Sequence, residues 1–186
     1  MRPLILAALL APWLLAAAAQ AQISVFASVN LTDYGFYPND STPFYSKGDG
    51  GGVAGGMFYN FHKDSRLTLG IGSRGSYSPG SQGGGYVAES FRLGLVPDHS
   101  PLRPYFETGL GITTASTNAQ TVGIVSSGSH TSLGEILLFG LDVRLTDSFD
   151  LRALELGGVA GGSVGTGIVD CGVVYHLRPL GRAHKP

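Results

Sequence analysis

The segment Arg66-Leu-Thr-Leu-Gly-Ile-Gly-Ser-Arg-Gly-Ser-Tyr77 alternates between two kinds of residue along its whole length. Its odd positions are mostly apolar, with Leu67, Leu69 and Ile71, whereas its even positions carry arginine, threonine, glycine and serine. Side chains of a β-strand point to opposite faces with a period of two residues. The segment therefore predicts a strand with one apolar face and one polar or charged face.

The same alternation recurs in the rest of the chain and predicts about eight strands. Besides 66–77, the clear segments are 23–32, 105–113, 133–145 and 167–177, and the weaker ones lie near 52–61, 85–95 and 149–158. Short turns at 62–65, 97–104 and 146–148 alternate with longer polar loops at about 33–50, 78–84, 116–130 and 159–166. Short connections at one end and long ones at the other are typical of an up-and-down antiparallel barrel of the transmembrane type.

The composition sets limits on the class of protein. The chain has 186 residues, a formal net charge of −1, 13% charged residues, 29 glycines and one cysteine, Cys171. A typical soluble domain has about 25% charged residues. The near-neutral charge excludes the basic footprint of a nucleic-acid-binding protein, and a single cysteine excludes an internal disulfide.

The first 21 residues have the features of a removable signal peptide. Arg2 provides a positive start, an apolar run follows from Leu4 to Ala19, and Ala19-Gln20-Ala21 is a small-x-small cleavage pattern. The run is shorter than the roughly 20 residues that span a bilayer as a helix, although an uncleaved anchor remains the alternative. We expect a signal peptide at 1–21, an outer-membrane barrel at 22–177 and a short basic tail at 178–186.

Energy decides which face of a membrane barrel meets lipid. An arginine facing lipid near the midplane costs roughly 2–4 kcal/mol, so the charged face must line the interior, or lumen. An eight-stranded barrel has an interior just wide enough for side chains to fill, and buried charges of both signs must pair. The predicted lumen charge network, interpreted as a plug and not as a pore lining or catalytic set, comprises Arg74, Arg92, Glu107, Asp142, Arg144, Arg152 and Asp170.

Two acidic residues do not fit this alternation. Glu89 and Glu155 share parity with apolar neighbours, so each requires either a β-bulge or a position near the rim.

A secreted soluble β-barrel that binds a small ligand is the structural alternative. In that arrangement the apolar face points inward and the glycine, threonine and arginine face meets water. Soluble surfaces carry about 25–35% charged residues, and this chain has too few. The membrane barrel is therefore favoured.

Several segments resemble the small outer-membrane β-barrel family of the eight-stranded OmpA and OmpX type. These are 55–61, 66–77, Pro104 to Gly111 and Asp150 to Glu155. The last strand is similar to the family's assembly signal, with Asp170, Gly172, Tyr175 and Leu177 at the polar, glycine, aromatic and hydrophobic positions. It departs from the family in that the signal normally closes the chain with phenylalanine, whereas the nine residues 178–186 follow Leu177.

The resemblance implies an outer-membrane location in a Gram-negative-type cell envelope. It also implies contact with outer-membrane lipid and lipopolysaccharide, and recognition by the barrel-insertion machinery. The expected role is structural or interactive, with loops 33–50 and 116–130 presented to a possible surface ligand. We expect no cofactor, no nucleic-acid partner and no peptidoglycan-binding domain.

An enzymatic alternative rests on His130-Thr131-Ser132. Some outer-membrane lipid A deacylases carry a His-x-Ser on a barrel strand, where the histidine activates the serine hydroxyl, and Glu135 or Glu155 would then orient the histidine. The triplet does not extend further into that motif, so we interpret it as a chance match. No residues show zinc-ligand spacing, and we predict that the protein is not an enzyme; a small diffusion channel is a further alternative.

Overall fold

A computed structural model of the chain describes residues 22–36, 45–63, 66–79, 83–97, 99–121, 124–162 and 164–177. They form one closed antiparallel barrel in which each strand pairs with its neighbours in sequence and β1 pairs with β8. The strands are β1 (Gln22–Phe36), β2 (Tyr45–Lys63), β3 (Leu67–Ser78), β4 (Gly84–Leu95), β5 (Leu102–Thr121), β6 (Ile124–Arg144), β7 (Phe149–Gly161) and β8 (Val164–His176). The prediction of an eight-stranded up-and-down barrel is confirmed. The predicted signal peptide and the predicted tail at 178–186 lie outside the described residues.

The strands are tilted, as barrel closure requires. Following paired residues once around the barrel leads from Val25 on β1 back to Gly35 on the same strand, a stagger of 35 − 25 = 10 residues. For a given number of strands, this stagger fixes the tilt and the width of the barrel. We call the end with Gln22 and His176 the terminal end, and the opposite end the ribbon end.

The two faces of the strands separate apolar from charged side chains. Outward-facing residues such as Leu31 and Leu133 expose 66% and 69% of their surface, whereas the inward-facing Arg74 is buried. Leu69, Leu141 and Val173 do not gather in an interior core. The barrel therefore carries most of its large apolar residues on the outside. None of the described residues forms a helix long and apolar enough to cross a membrane.

The ribbon end differs from the predicted loops. Strands β5 and β6 continue through the predicted loop at 116–130 and remain paired up to Thr121 and Ile124. Likewise, β7 and β8 extend into the predicted loop at 159–166. In these segments the sequence no longer alternates between apolar and polar residues. The backbones remain paired all the same, because backbone hydrogen bonding does not depend on side-chain polarity. Beyond the barrel, β5 and β6 thus form a two-stranded ribbon.

A β-bulge in β7 explains Glu155. Ala153 has no partner in β6 or β8, because Arg152 pairs with Asp142 and Leu154 with Leu141. The extra residue shifts the inward-facing parity from even to odd positions. Glu155 therefore points into the lumen and is fully buried.

Glu89 has neither a bulge nor a rim position. The register of β4 with both of its neighbours is regular, and the Glu89 side chain is exposed on the outer face of the barrel. Both explanations that the alternation suggested for this residue are wrong.

Candidate functional site

A layer of buried charged side chains crosses the middle of the lumen. Strands β3 to β8 each contribute at least one of them, because the charged residue falls at an inward-facing position. We call this set the charged layer; its members are Arg74, Arg92, Glu107, Asp142, Arg152, Glu155 and Asp170.

Arg92 joins two carboxylates on neighbouring strands. Its Nη1 donates to Glu107 Oε1 at 2.7 Å and its Nη2 to Asp142 Oδ2 at 2.6 Å. Arg152 Nε donates to the other oxygen of Asp142 at 3.2 Å. Ser90 adds a hydroxyl donor to Glu107 at 3.2 Å. Each carboxylate on this side of the layer thus has more than one donor, as burial of an ion requires.

Arg74 occupies the other side of the layer. It donates to Glu107 Oε2 at 3.1 Å, forms a two-pronged contact with Glu155 and lies 3.5 Å from Asp170. Glu155 also accepts a hydrogen bond from the Tyr105 hydroxyl. Asp170 is less well supplied, because the hydroxyl of Ser28, at 3.2 Å, is its hydrogen-bond donor. Three guanidinium groups therefore face four carboxyl groups in this layer.

Aromatic rings hold the arginines in place. The guanidinium carbon of Arg92 lies 3.5 Å from the Tyr105 ring centroid and 4.3 Å from that of Phe58. Arg152 lies 4.2 Å from the Phe26 ring centroid. A cation over an aromatic face gains more when it is desolvated, about 2 kcal/mol. The rings thus compensate part of the cost of burying these cations.

A hydrogen-bonded chain lies nearer the terminal end. Ser24 Oγ is 2.7 Å from His176 Nδ1, His176 Nε2 is 2.8 Å from Asp150 Oδ2, and Arg103 donates to the same oxygen at 2.8 Å. Although serine, histidine and aspartate have the order of a hydrolase triad, Ser24 is fully buried. The adjacent cavity of about 40 Å³ is lined by His176 and Asp150 but not by Ser24. The chain therefore ties β1, β5, β7 and β8 together and does not present a nucleophile.

Apolar side chains close the lumen towards the ribbon end. One cluster packs directly beyond the charged layer and consists of Tyr86, Ala88, Ile136, Leu138, Val159 and Ile168. A second cluster of Tyr34, Ala115 and Val164 lies beyond it. Within the described residues, no group of three His, Cys, Asp or Glu side chains is placed to hold a metal ion. The geometry is that of a filled cylinder.

The comparisons with known proteins agree with this geometry. No family model matches the sequence, and none of the curated proteins matches it. Solved structures do: the attachment invasion locus protein Ail of Yersinia pestis superposes with a TM-score of 0.54 at 13% identity, covering 84% of this chain and 97% of Ail. The fold is that of the small eight-stranded outer-membrane β-barrels.

Two further outer-membrane barrels support the assignment. The N-terminal barrel domain of Pseudomonas aeruginosa OprF has a TM-score of 0.51 at 16% identity, covering 85% of this chain and 100% of that domain. Neisserial surface protein A has a TM-score of 0.50 at 17% identity, covering 83% of this chain and 97% of its own. These similarities concern the fold of the whole barrel.

Six of the seven charges predicted for the lumen lie in the charged layer, and Arg144 does not. Arg144 has inward parity but is the last residue of β6. Its side chain is 48% exposed and pairs with Asp147 in the following turn. The prediction for Arg144 is wrong. Its parity gives only the face of the strand on which it lies, and its position at the end of β6 places it at the rim of the barrel instead of in the middle of the lumen.

The residues of the enzymatic alternative are not brought together. Ser132 pairs with Thr113 on β5, whereas Glu155 pairs with Gly140, which is 140 − 132 = 8 residues further along β6. At about 3.4 Å per residue this separation is roughly 27 Å. Glu155 is moreover held by Arg74 and Tyr105. His130, Ser132 and Glu155 therefore do not form a catalytic group.

Three residues of the predicted assembly signal lie on β8, the strand that closes the barrel against β1, and Leu177 follows directly after that strand. Asp170 faces the lumen, Gly172 packs against the backbone of Ala27 and Ser28, and Tyr175 and Leu177 face outward at the terminal end. The recognition of these four residues by the insertion machinery stays a prediction.

Several residues of the site were missed by sequence reasoning. The missed residues are the aromatic side chains that stack on the arginines, Phe26, Phe58 and Tyr105. Asp150 and His176, which are hydrogen-bonded to each other near the terminal end, were missed as well. Parity was the available signal, because Tyr105 shares parity with Glu107, Asp150 with Arg152 and His176 with Asp170. Large aromatic residues on the otherwise polar face of a strand indicate partners for the charges beside them.

Proposed function

We propose that this protein is an integral outer-membrane barrel whose filled lumen makes it a rigid support for the ribbon end, with a structural or surface-interaction role. The observation that carries the proposal is the charged layer, in which every arginine is paired and stacked. A solute pathway would require these ion pairs to separate inside a medium of low dielectric, which is strongly unfavourable.

The two-stranded ribbon is the part available to an external partner. Its strands are paired from Ala115 and His130 outward to Thr121 and Ile124. By the rule for outer-membrane barrels, the terminal end with its short turns lies in the periplasm, so the ribbon lies outside the cell. A partner would meet a serine-, threonine- and glycine-rich hairpin on a fixed base.

The charge of this surface argues against one class of ligand. Ail has been crystallised with sucrose octasulfate, a heparin analogue. Residues 113–131 of the present chain contain no lysine or arginine, and residues 33–50 contain one lysine and three aspartates. Sulfated polyanions are recognised by clustered basic side chains, so we expect a neutral or weakly basic partner instead.

The membrane assignment is tested by placing a charge on the outer face. Phe91 lies within β4 and is 66% exposed on the outer face. An arginine that faces lipid near the middle of the bilayer costs roughly 2–4 kcal/mol. We expect Phe91→Arg to lower sharply the fraction that folds into lipid vesicles, measured by heat-modifiable gel mobility. Thr131→Arg, on the exposed ribbon side, is the matched control and should fold normally. Equal folding of the two variants would instead support a water-soluble barrel.

A further inference from the structure

The charged layer contains one carboxyl group more than it has guanidinium groups. Its three arginines face four carboxyl groups, and all seven side chains are buried. The charged groups nearer the terminal end do not make up the difference, because Arg103 and His176 both bond to the Asp150 carboxylate there. A buried charge without a counter-charge is strongly unfavourable. Within the described part of the lumen, the charged layer therefore requires one more positive charge.

Asp170 is the carboxyl group of this layer with the weakest set of donors. Its Oδ2 accepts a hydrogen bond from Ser28 at 3.2 Å and lies 3.5 Å from Arg74 Nη2. Its Oδ1 is buried and receives no hydrogen bond from the described residues. The other three carboxyl groups of the layer each accept a hydrogen bond from at least one arginine. The missing positive charge therefore belongs at Asp170, and Oδ1 is the oxygen that is free to carry it.

Glu155 lies directly opposite Asp170. The two residues are paired across β7 and β8, in the first pair beyond the bulge on the ribbon side. Both side chains face the lumen and are buried, and their carboxyl groups lie within hydrogen-bonding reach of each other. Two carboxylates at such a separation repel each other, whereas a carboxyl group and a carboxylate can share one proton.

We propose that Asp170 and Glu155 form a proton-binding site, in which Asp170 Oδ1 carries one proton and donates it in a hydrogen bond to the Glu155 carboxylate. The proton comes from the solvent and supplies the missing positive charge without needing a cavity. A metal ion would need several ligand atoms, and no group of three His, Cys, Asp or Glu side chains in the described part of the chain is placed to hold one. In the unfolded chain both groups meet water, where carboxyl groups ionise at about pH 4. At neutral pH, folding therefore takes up one proton.

The other ionisable groups around this pair keep their charge as the pH rises above neutral. Arginine does not lose its proton in proteins, and phenol groups ionise only at about pH 10. The remaining carboxylates, Glu107 and Asp142, both accept from Arg92. In the described part of the layer β1 and β2 contribute no ionisable side chain, and the groups that the other strands contribute are Arg74 on β3, Tyr86 and Arg92 on β4, Tyr105 and Glu107 on β5, Asp142 on β6 and Arg152 on β7.

The bound proton makes the stability of the barrel depend on pH in one direction. Above about pH 5 the carboxyl groups of the unfolded chain are ionised, so the folded barrel holds one proton more than the unfolded chain. Raising the pH then favours unfolding, and the unfolding equilibrium constant rises about tenfold per pH unit until the folded barrel releases the proton. The two carboxylates that remain would repel each other beside the bulge of β7.

The test compares Asp170→Asn with Asp150→Asn. The amide at position 170 is neutral, has nearly the same shape and still offers a donor to Glu155, so three arginines then face three carboxylates and no proton is needed. Asp150 is the matched control, because its carboxyl group is also buried but bonds to Arg103 and His176 outside the layer. Infrared spectra in lipid vesicles report the carbonyl stretch of a protonated carboxyl group, and heat-modifiable mobility of the same samples reports folding.

We expect the folded parent and Asp150→Asn to show this carbonyl band at about pH 6, where carboxyl groups in water are ionised, and Asp170→Asn to show it reduced by one group. In urea titrations the unfolding equilibrium constant of the parent should rise about tenfold per pH unit relative to that of Asp170→Asn, up to the pH at which the band disappears.

Three results would overturn the proposal. The first is a band that is absent from the folded parent or unchanged in Asp170→Asn. The second is a parallel pH dependence of the two unfolding constants. The third is failure of Asp170→Asn to fold, because a neutral side chain would then not be tolerated at this position. Loss of stability when choline replaces sodium and potassium would assign the positive charge to a metal ion, and would also overturn the proton.

Discussion

At the scale of single residues, the charged layer depends on arginines that each serve more than one carboxylate. Arg92 bridges Glu107 and Asp142 while stacking between Phe58 and Tyr105. Removing one member of a buried ion pair leaves an uncompensated charge, which costs about 3–5 kcal/mol. We therefore expect the contribution of an arginine to the free energy of unfolding to depend on whether it is buried in the charged layer or exposed at a strand end.

Arg92→Met tests this dependence on depth. We expect its free energy of unfolding, measured by urea titration in lipid vesicles, to fall by about 3–5 kcal/mol. Arg144→Met should change it by less than about 0.5 kcal/mol, because Arg144 is half exposed and pairs in a turn. Similar losses of unfolding free energy in the two variants would contradict a dependence on the position of the arginine in the lumen.

Gly140 provides a second prediction at this scale. A Cβ atom at Gly140 would overlap the Tyr105 ring, whose hydroxyl reaches Glu155. We expect Gly140→Ala to lower the free energy of unfolding by about 1–3 kcal/mol through overpacking. Gly75→Ala is the control, because the nearest atom to its added Cβ is 3.6 Å away.

Tyr105→Leu should relieve part of the loss in the Gly140→Ala background, since the clash is with the ring. A double-mutant cycle measures this coupling between the two positions. Additive effects would show that the ring is not the cause.

At the scale of elements, the bulge in β7 determines which residues face inward. Arg152 on one side of Ala153 and Glu155 on the other both face the lumen, although their positions differ in parity. If Ala153 were paired regularly, Glu155 would face outward. The bulge leaves Ala153 unpaired and thereby keeps Glu155 inward.

Deletion of Ala153 should therefore be tolerated. The shortened strand restores regular pairing with β6 and β8 and leaves Glu155 inward, because the deleted residue is the unpaired one. Deletion of Val173, which pairs regularly with Ala27 and Leu151, reverses the faces of the residues beyond it and should abolish folding. Heat-modifiable mobility after refolding into vesicles measures both; failure of the Ala153 deletion alone would contradict the role given to the bulge.

At the scale of the whole molecule, three layers fill the lumen between its two ends. The chain around His176 and Asp150 lies nearest the terminal end, the charged layer follows, and the cluster around Ile136 and Leu138 lies towards the ribbon end. The cavity of about 40 Å³ at the terminal end holds no more than a few water molecules.

The folded protein should accordingly form no ion-conducting pore. Planar bilayer recordings of the refolded protein are expected to show a flat baseline at any applied voltage that the membrane withstands. A heat-denatured sample serves as the control for contaminating porins. Stepwise openings that disappear on heating would show that the charged layer separates in the membrane.

The amino-acid sequence by itself determines the number of strands, their order and the face that most side chains take, because these follow from a period of two that can be counted along the chain. Leu67 and Arg74 are assigned to opposite faces by counting alone. The tertiary structure decided the features that depend on how neighbouring strands are aligned, which the alternation along a single strand does not reveal. It decided the depth that leaves Arg144 at the rim, the bulge that turns Glu155 inward, and the choice of Glu107 and Asp142 as the partners of Arg92. These depend on the stagger between neighbouring strands, which is set by closure of the whole barrel.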